Sequence, residues 1–397
     1  MDCTWLASNA RIDHWKNHRT MDFQNNGKPG IRSNDGWLTV DVYDDLNLTL
    51  IAESGQTFRM KWISGDLGYL VQTGDHAALV RQVLYDPDVT PDVVEIPGNH
   101  KDTWHGTVDE DSWQDVPVKG VDHVYRTSDG NPNRIQISCS EEEWESVWRE
   151  WFDMDRSYNE LRKRVCELED DVDKDVSLGI NTIMTHGEGI RILRQDPWET
   201  LCTFIISQRR SIPSIKTSVR RMSERWGGEI NAPAIKRLMK NVKGTPVDSV
   251  PALISFPTAN SLSQVEPEVL NEVAGLGYRD KYVHDAAVKV AAGELDLGKL
   301  NALNDEDLLK RLESLRGVGV KIASCTALFA YGRLDVAPVD VWIQRVIKED
   351  FDGEDVLNHQ YKEISGLVQQ WMYYWALRNG SGNLDSMINE ARRVDAN

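Results

Sequence analysis

The sequence contains no continuous run of apolar residues that would cross a membrane. Such a helix needs about 18 apolar residues in succession, and no segment approaches that length. The first residues, MDCTWLASNARIDHWKNH, interrupt their apolar positions with charged ones and lack the apolar stretch of a signal peptide. With 40% hydrophobic and 27% charged residues, the chain is expected to form a soluble, globular, cytoplasmic protein.

Cysteines at metal-binding spacing are also missing. The five cysteines are Cys3, Cys139, Cys166, Cys202 and Cys325. They form no CxxC pair, and no His/Cys grouping has the spacing of a zinc site. We therefore expect reduced thiols, with no iron–sulfur cluster and no structural zinc.

Positive charge is scarce, since 45 basic residues face 63 acidic ones and the net charge is −18. This balance argues against a nucleic-acid partner, because phosphate binding favours local positive charge. Residues 209–225 have the opposite bias, with a local charge of +5. The one acid is Glu224, and the six basic residues are Arg209, Arg210, Lys216, Arg220, Arg221 and Arg225. Taken alone, such a run is more often a solvated helix face than a DNA-binding surface.

The front part of the chain has the pattern of a β domain. After a polar extension at 1–35, apolar residues alternate with polar ones in two short runs, which are Leu46, Leu48 and Leu50, then Phe58, Met60 and Trp62. This period predicts an antiparallel hairpin with SGQ (54–56) as its turn. RIQISC at 134–139 predicts another strand, and the acidic residues of about 67–122 are expected to form an insertion in a β domain that spans 36–140.

After Ser140 the hydrophobic period becomes helical, and residues 141–378 are predicted to form an all-helical body. SEEEWESVWREWF opens with a serine cap and acids in its first turn. Further helices are predicted at 197–208, 212–226, 267–274, 280–292, 304–314, 320–331, 341–350 and 357–378, followed by a tail at 379–397. The predicted fold class is α+β, with an N-terminal antiparallel β domain before a helical body.

Two glycines in the segment LRGVGVKIASC (315–325) separate two predicted helices. Asn304 can cap the first helix, and Gly317 and Gly319 then turn the chain, which predicts a helix-hairpin-helix at 304–331. Because glycine has no Cβ, the N–H groups of this turn can approach a phosphate closely. A GxG turn by itself fits a structural turn and a phosphate-binding turn equally well.

The next segment, APVDVW (337–342), places Asp340 where a helix N-cap belongs. Alone, it is a capping aspartate. Paired with Lys321, directly after the glycine turn, it resembles the helix-hairpin-helix DNA glycosylases, and a lysine at this position resembles the members that are also AP lyases. The chain is similar to the 8-oxoguanine DNA glycosylase/AP lyase family in five ordered segments: SGQTFR, GIRILRQDPWETLCTFIISQ, GLGYRDKYV, GVGVKIASC and APVDVWIQRV.

The resemblance implies an enzyme that extrudes 8-oxoguanine from duplex DNA, removes it through a lysine Schiff base and cuts the abasic site by β-elimination. Lys321 would be the nucleophile and Asp340 would stabilise the cationic sugar. Base recognition would come from Gly55, Gln369, Tyr373 and Cys325, and DNA binding from Gly317, Gly319, Arg209, Arg210 and Tyr278. No cofactor and no catalytic metal are implied, but the carbonyls of Glu313, Leu315 and Val318 would hold a structural cation. The resemblance also implies that this protein is a monomer, because its relatives act as monomers.

Several positions depart from the family pattern. Arg209 and Arg210 stand where asparagines are common, and Ser214 stands where eukaryotic members have an arginine that contacts the orphan cytosine, so the opposite-base preference stays open. Trp342 replaces a histidine of eukaryotic relatives and indicates the bacterial or archaeal branch. Two alternatives also remain, a monofunctional alkylated-purine glycosylase and a non-catalytic helix-hairpin-helix scaffold.

Overall fold

The computed structural model describes residues 31–34, 36–83, 92–95, 123–126, 133–168, 174–241 and 252–384. Most of the predicted extension, most of the predicted acidic insertion and most of the predicted tail lie outside these residues. The predicted end of the extension at residue 35 is wrong, because Ile31–Asn34 already form a strand that pairs with Trp37–Val42. The strands are β1 (Ile31–Asn34), β2 (Trp37–Val42), β3 (Met60–Ser64), β4 (Gly68–Thr73), β5 (His76–Val83), β6 (Asp92–Glu95), β7 (His123–Arg126) and β8 (Asn133–Ile137). Six of them form an antiparallel sheet in the order β1-β2-β8-β5-β4-β3, and β6 and β7 form a separate antiparallel pair.

The helices follow the sheet, apart from the first one. They are α1 (Leu48–Glu53), α2 (Glu141–Glu143), α3 (Arg149–Trp151), α4 (Tyr158–Glu167), α5 (Lys174–His186), α6 (Pro197–Ser207), α7 (Ile212–Trp226), α8 (Pro233–Asn241), α9 (Ala259–Ser263), α10 (Pro267–Ala274), α11 (Asp280–Ala291), α12 (Leu297–Leu300), α13 (Asp305–Glu313), α14 (Val320–Tyr331), α15 (Val341–Asp350) and α16 (Ser365–Asn379). A π-helical stretch, Trp144–Trp148, joins α2 to α3. The predicted α+β class is confirmed.

The prediction of a strand at 46–50 is wrong, because Asn47 caps α1 and residues 48–50 belong to its first turn. Oδ1 of Asn47 accepts hydrogen bonds from the N–H groups of Thr49 and Leu50, at 3.0 and 3.1 Å, and so caps the helix. The apolar alternation arises because α1 is buried on two sides. Ile51 packs with the sheet, whereas Leu50 packs with the helical body.

The predicted start of the acidic insertion is also wrong. Residues 68–83 form β4 and β5, which lie inside the sheet, with Leu70 opposite Leu79 and Val80 opposite Ile137. The strand predicted at 134–139 is present as β8. The sheet therefore contains β4 and β5 before the insertion and β8 after it. The insertion begins after β5, not at residue 67.

Both faces of the sheet are covered, which positions it against the helices. One face packs on Trp144, Trp148 and other residues of the helical stretch after Ser140. The other face packs on Ile235 and Leu238 of α8. The serine cap is present, since Oγ of Ser140 accepts from the N–H of Glu143.

The helical body is built around α14, in which every residue from Ile322 to Tyr331 is buried. α6 packs beside it, and the rings of Phe204 and Phe329 stack with their centroids 5.5 Å apart. The helix-hairpin-helix is present as α13 and α14, with Asn304 capping α13. Among the described residues, no helix is long and apolar enough to span a membrane.

Candidate active site and DNA-binding face

A cavity of about 490 Å³ opens where the loop after α1 meets the helical body. All six residues predicted for base recognition and catalysis line it, together with both predicted DNA-binding arginines and the predicted DNA-binding tyrosine. These lining residues are Gly55, Lys321, Cys325, Asp340, Gln369, Tyr373, Arg209, Arg210 and Tyr278. Residues that are distant in sequence therefore share one opening.

Lys321 and Asp340 face each other at the cavity. The Nζ atom of Lys321 lies 3.8 Å from Oδ2 of Asp340. Lys321 stands at the second position of α14, and Asp340 is the N-cap of α15, where its Oδ1 accepts from the N–H groups of Trp342 and Ile343. The side chain of Lys321 is 40% exposed, so the amine is accessible to a ligand in the cavity.

Cys325 lies one helical turn after Lys321 and is buried. Burial raises the pKa of its thiol to about 12, with the charge of Lys321 acting in the opposite direction. The side chain is therefore a neutral thiol at neutral pH and presents an apolar surface to the cavity.

The loop that carries Gly55 is held by two glutamines. Gln56 donates to the carbonyl of Arg191 at 2.9 Å and accepts from the N–H of Leu193 at 2.8 Å. Gln370 donates to the carbonyl of Ser54. These bonds hold the residues on both sides of Gly55, so its backbone has a defined position at the cavity.

Gly55 meets two requirements that only glycine satisfies. Its φ is +74°, in the left-handed region. A Cβ at this position would lie 2.8 Å from Cε1 of Tyr373, closer than a carbon atom can approach. The glycine therefore lets the loop backbone and the Tyr373 ring share one wall.

Gln369 occupies the helix turn before Tyr373 and is only 4% exposed. Its Oε1 atom has no hydrogen-bond partner among the described residues. A buried amide oxygen without a partner is costly in the free protein. It is positioned to accept a hydrogen bond from a ligand in the cavity.

The mouth of the cavity carries arginine and tyrosine side chains. Arg209 is exposed and has a left-handed φ of +51°, which is uncommon for a residue with a Cβ. Nε of Arg210 donates to Oγ of Ser214 at 2.9 Å. Tyr278 is 50% exposed, and its ring lies against the guanidinium of Arg279. The remaining basic residues of 209–225 do not line the cavity.

The glycine turn of the hairpin adjoins this mouth. Gly317 has φ +79°, and a Cβ there would lie 2.3 Å from the ring of Tyr282. Its carbonyl accepts from Nε2 of Gln208 at 3.2 Å, which ties the turn to the residue before Arg209. Gly319, in contrast, has open space around it. Close packing therefore requires the first glycine, whereas the second leaves its backbone accessible.

The predicted cation site at Glu313, Leu315 and Val318 lies in the same turn. The carbonyl of Leu315 accepts a hydrogen bond from the N–H of Val318 at 3.1 Å, as expected for a tight turn. Among the described residues, no cluster of three or more His, Cys, Asp or Glu side chains is arranged to hold a metal ion. The carbonyl site stays a prediction.

Comparison with known proteins identifies the family. The family model described as 8-oxoguanine DNA glycosylase, N-terminal domain, matches residues 39–201, and that of the HhH-GPD superfamily base excision DNA repair proteins matches 202–372. N-glycosylase/DNA lyase OGG1 of Arabidopsis thaliana is 30% identical over 315 residues, which cover 78% of this chain and 68% of that protein. The chain belongs to the 8-oxoguanine DNA glycosylase/lyase family.

Other members of this family give the same result. N-glycosylase/DNA lyase of Saccharomyces cerevisiae is 32% identical over 185 residues, which cover 43% of this chain and 44% of that protein. The 8-oxoguanine glycosylase/lyase of Clostridium acetobutylicum, in complex with DNA containing cytosine opposite 8-oxoG, superposes with a TM-score of 0.63 at 25% identity, covering 88% of this chain and 98% of that one. The structure of MBOgg1 with a low-affinity DNA ligand superposes with a TM-score of 0.66 at 25% identity, covering 89% of this chain and 100% of that one.

Sequence reasoning about the family missed part of the cavity wall. Phe58, Phe204 and Phe329 line it, and Gln370 fixes the Gly55 loop. Phe58 lies within the SGQTFR segment, where the apolar alternation predicts a strand. Gln370 stands next to Gln369 in GLVQQW, so the doubled glutamine was the available signal.

Proposed function

We propose that this protein excises 8-oxoguanine from duplex DNA and then cleaves the strand at the abasic site, with Lys321 as the nucleophile. The observation that carries the proposal is the placement of Lys321 and Asp340, 3.8 Å apart, at a cavity that Gly55 and Gln369 also line. The family comparison supports the same activity.

Base recognition uses the difference between guanine and its oxidised form. N7 of guanine is a hydrogen-bond acceptor, whereas N7 of 8-oxoguanine carries a hydrogen. The carbonyl of Gly55, in its glutamine-held loop, would accept that hydrogen and reject guanine. Oε1 of Gln369, which has no partner within the described chain, would accept from the Watson–Crick edge. The extruded base would lie between Tyr373 and Cys325.

Base release and strand cleavage follow from one covalent intermediate. The unprotonated amine of Lys321 forms a bond to C1′, and the N9–C1′ bond breaks with its electron pair on the base. The attacking nitrogen then loses a proton, the base gains one, and opening of the sugar ring gives an imine. Loss of a proton from C2′ expels the 3′ phosphate by β-elimination. Asp340 would stabilise the positive charge that develops on the sugar.

DNA binding would use the mouth of the cavity. Arg209, Tyr278 and the turn at Gly319 adjoin it, and they offer a cation, an exposed aromatic ring and accessible backbone N–H groups. This local arrangement resolves the conflict with the net charge of −18, because phosphate contacts depend on the charge of the contacting face. We further propose that the protein acts as a monomer, which light scattering of the free and DNA-bound protein would test, and that it works on DNA in the cytoplasm.

The test is borohydride trapping on a duplex with one 8-oxoguanine opposite cytosine. Wild type should release the base, cleave the strand and form a trapped adduct, whereas Lys321→Gln should bind the duplex without any of the three. Lys310→Gln is the matched control, since Lys310 is an exposed lysine of the same hairpin that pairs with Glu306. Release of alkylated purines without a trapped adduct would indicate the monofunctional glycosylase, and binding without base release would indicate the scaffold.

A further inference from the structure

The hydroxyl group of Tyr373 is a polar group that stacking on a base does not require. The residue is half-buried on α16 and lines the cavity with Lys321. Its hydroxyl has no hydrogen-bond partner among the residues that the structure describes. By contrast, the hydroxyl of the adjacent Tyr374 accepts from Arg378 at 3.2 Å, and that of Tyr331 donates to the carbonyl of Leu297 at 2.8 Å.

The hydroxyl lies beside the backbone of Gly55. A Cβ built on Gly55 would be 2.8 Å from Cε1 and 3.5 Å from the hydroxyl oxygen of Tyr373. Gln369, one turn earlier on the same helix, lines the same cavity. The hydroxyl is therefore beside the backbone that would hold N7 of the base, and the carbon that carries O8 is bonded to N7.

The surroundings of this hydroxyl keep it a donor. Burial raises the pKa of Tyr373, and the negative charges of Asp340 and of Cys325, when it is ionised, raise it further. The phenol is therefore neutral at physiological pH and carries its hydrogen.

We propose that Tyr373 is a catalytic residue of the base-release step, and that its O–H donates a hydrogen bond to O8 of the extruded 8-oxoguanine. This inference deepens the proposed function and rests on it. When the N9–C1′ bond breaks, the electron pair on N9 is shared through C8 with O8, so negative charge grows on the bonded atom. Tyr373 keeps its proton throughout, and the proton that the base gains is the one that the attacking amine loses. A donor aimed at developing charge stabilises the transition state more than the ground state.

The experiment separates base release from the later steps. Tyr373→Phe keeps the ring and removes only the hydroxyl, and Tyr374→Phe is the matched control on the same helix. Single-turnover release of 8-oxoguanine should slow about tenfold or more in Tyr373→Phe, which corresponds to the loss of one hydrogen bond. Cleavage and borohydride trapping on a preformed abasic site, where no base must leave, should match wild type. Tyr374→Phe should resemble wild type on both substrates.

The same two substrates distinguish the ways in which the inference can fail. Release of 8-oxoguanine by Tyr373→Phe at the wild-type rate would show that the hydroxyl contributes nothing. Equal slowing on 8-oxoguanine and on the abasic site would show a structural role only. If the wild type cleaves the abasic site but releases no 8-oxoguanine, the proposed substrate itself is wrong, and the inference about O8 fails with it.

Discussion

The carboxylate of Asp340 uses its two oxygens for different partners. Oδ1 accepts hydrogen bonds from the N–H groups of Trp342 and Ile343, at 2.9 and 3.0 Å, whereas Oδ2 lies 3.8 Å from Nζ of Lys321. The capping bonds orient the side chain, and the orientation brings its charge to the amine. The N-termini of α14 and α15 thus meet at one point of the cavity.

This division allows the charge of Asp340 to be tested apart from its capping role. Asp340→Asn keeps an oxygen acceptor for the cap and should change the free energy of unfolding by less than about 0.5 kcal/mol. Loss of the charge should slow base release about 100-fold, because the cationic sugar loses its partner. Asp340→Ala should show the same slowing and also lose about 1 kcal/mol of stability. Urea unfolding and single-turnover assays measure the two effects, and wild-type activity in Asp340→Asn would contradict this assignment.

Two glycines with left-handed φ differ in what surrounds them. Gly55 has φ +74° and would place a Cβ against Tyr373, whereas Gly74 has φ +51° and open space. Gly74→Ala should cost only the backbone strain, about 1 kcal/mol. Gly55→Ala should cost about 1–3 kcal/mol more from overpacking, and it should weaken 8-oxoguanine release by displacing the Tyr373 ring. Equal loss of stability and activity in the two variants would refute the close approach of the Gly55 loop.

The location of Arg209 predicts a salt-dependent effect on DNA affinity. This exposed side chain lines the cavity, whereas Arg225 lies in the last turn of α7, away from the cavity and beside the ring of Trp226. Arg209→Ala should weaken binding and reduce the slope of log K against log salt by about 0.9 if it contacts one phosphate. Arg225→Ala should leave both unchanged. Fluorescence anisotropy over a salt series measures the slope, and the same slope in both variants would place the contact face elsewhere.

Asp45 predicts a pH dependence of stability below neutrality. Burial raises its pKa from 3.8 to about 6, against the opposing effect of Arg162. The carboxyl of Asp45 therefore binds its proton more tightly in the folded state than in the unfolded state. Ionised Asp45 lowers the free energy of unfolding, and this loss is complete above about pH 6 and absent below about pH 4. Relative to Asp45→Asn, wild type should gain up to about 3 kcal/mol as the pH falls through this window. Arg162 keeps Glu188 as a partner in the variant, at 3.3 Å.

Urea unfolding of both proteins at several pH values measures this difference. The free energy of unfolding contains contributions from every titrating group, but groups that behave alike in both proteins cancel in the comparison. A difference that is constant from pH 4 to pH 7 would show that Asp45 does not titrate in this range.

Local signals allowed the central motif to be predicted from the sequence. Asn304 caps α13, Asp340 caps α15, and glycines form the turn before Lys321. Each of these features depends on hydrogen bonds and backbone angles within a few residues, so residue type and spacing are sufficient to place them. The family resemblance rests on the same short segments, and it was confirmed.

The tertiary structure decided the features that depend on distant packing. The residues at 46–50 alternate as a strand would, but they form a helix because two separate cores bury opposite sides of it. The wall of the cavity joins Ser54 to Gln370, residues that are 316 positions apart. Sequence alone determined the caps of α13 and α15 and the chemistry of the residues beside them, although the helix predicted at 357–378 begins only at Ser365. The folded core decided which residues face one cavity, because contacts between distant segments depend on how all the elements pack together.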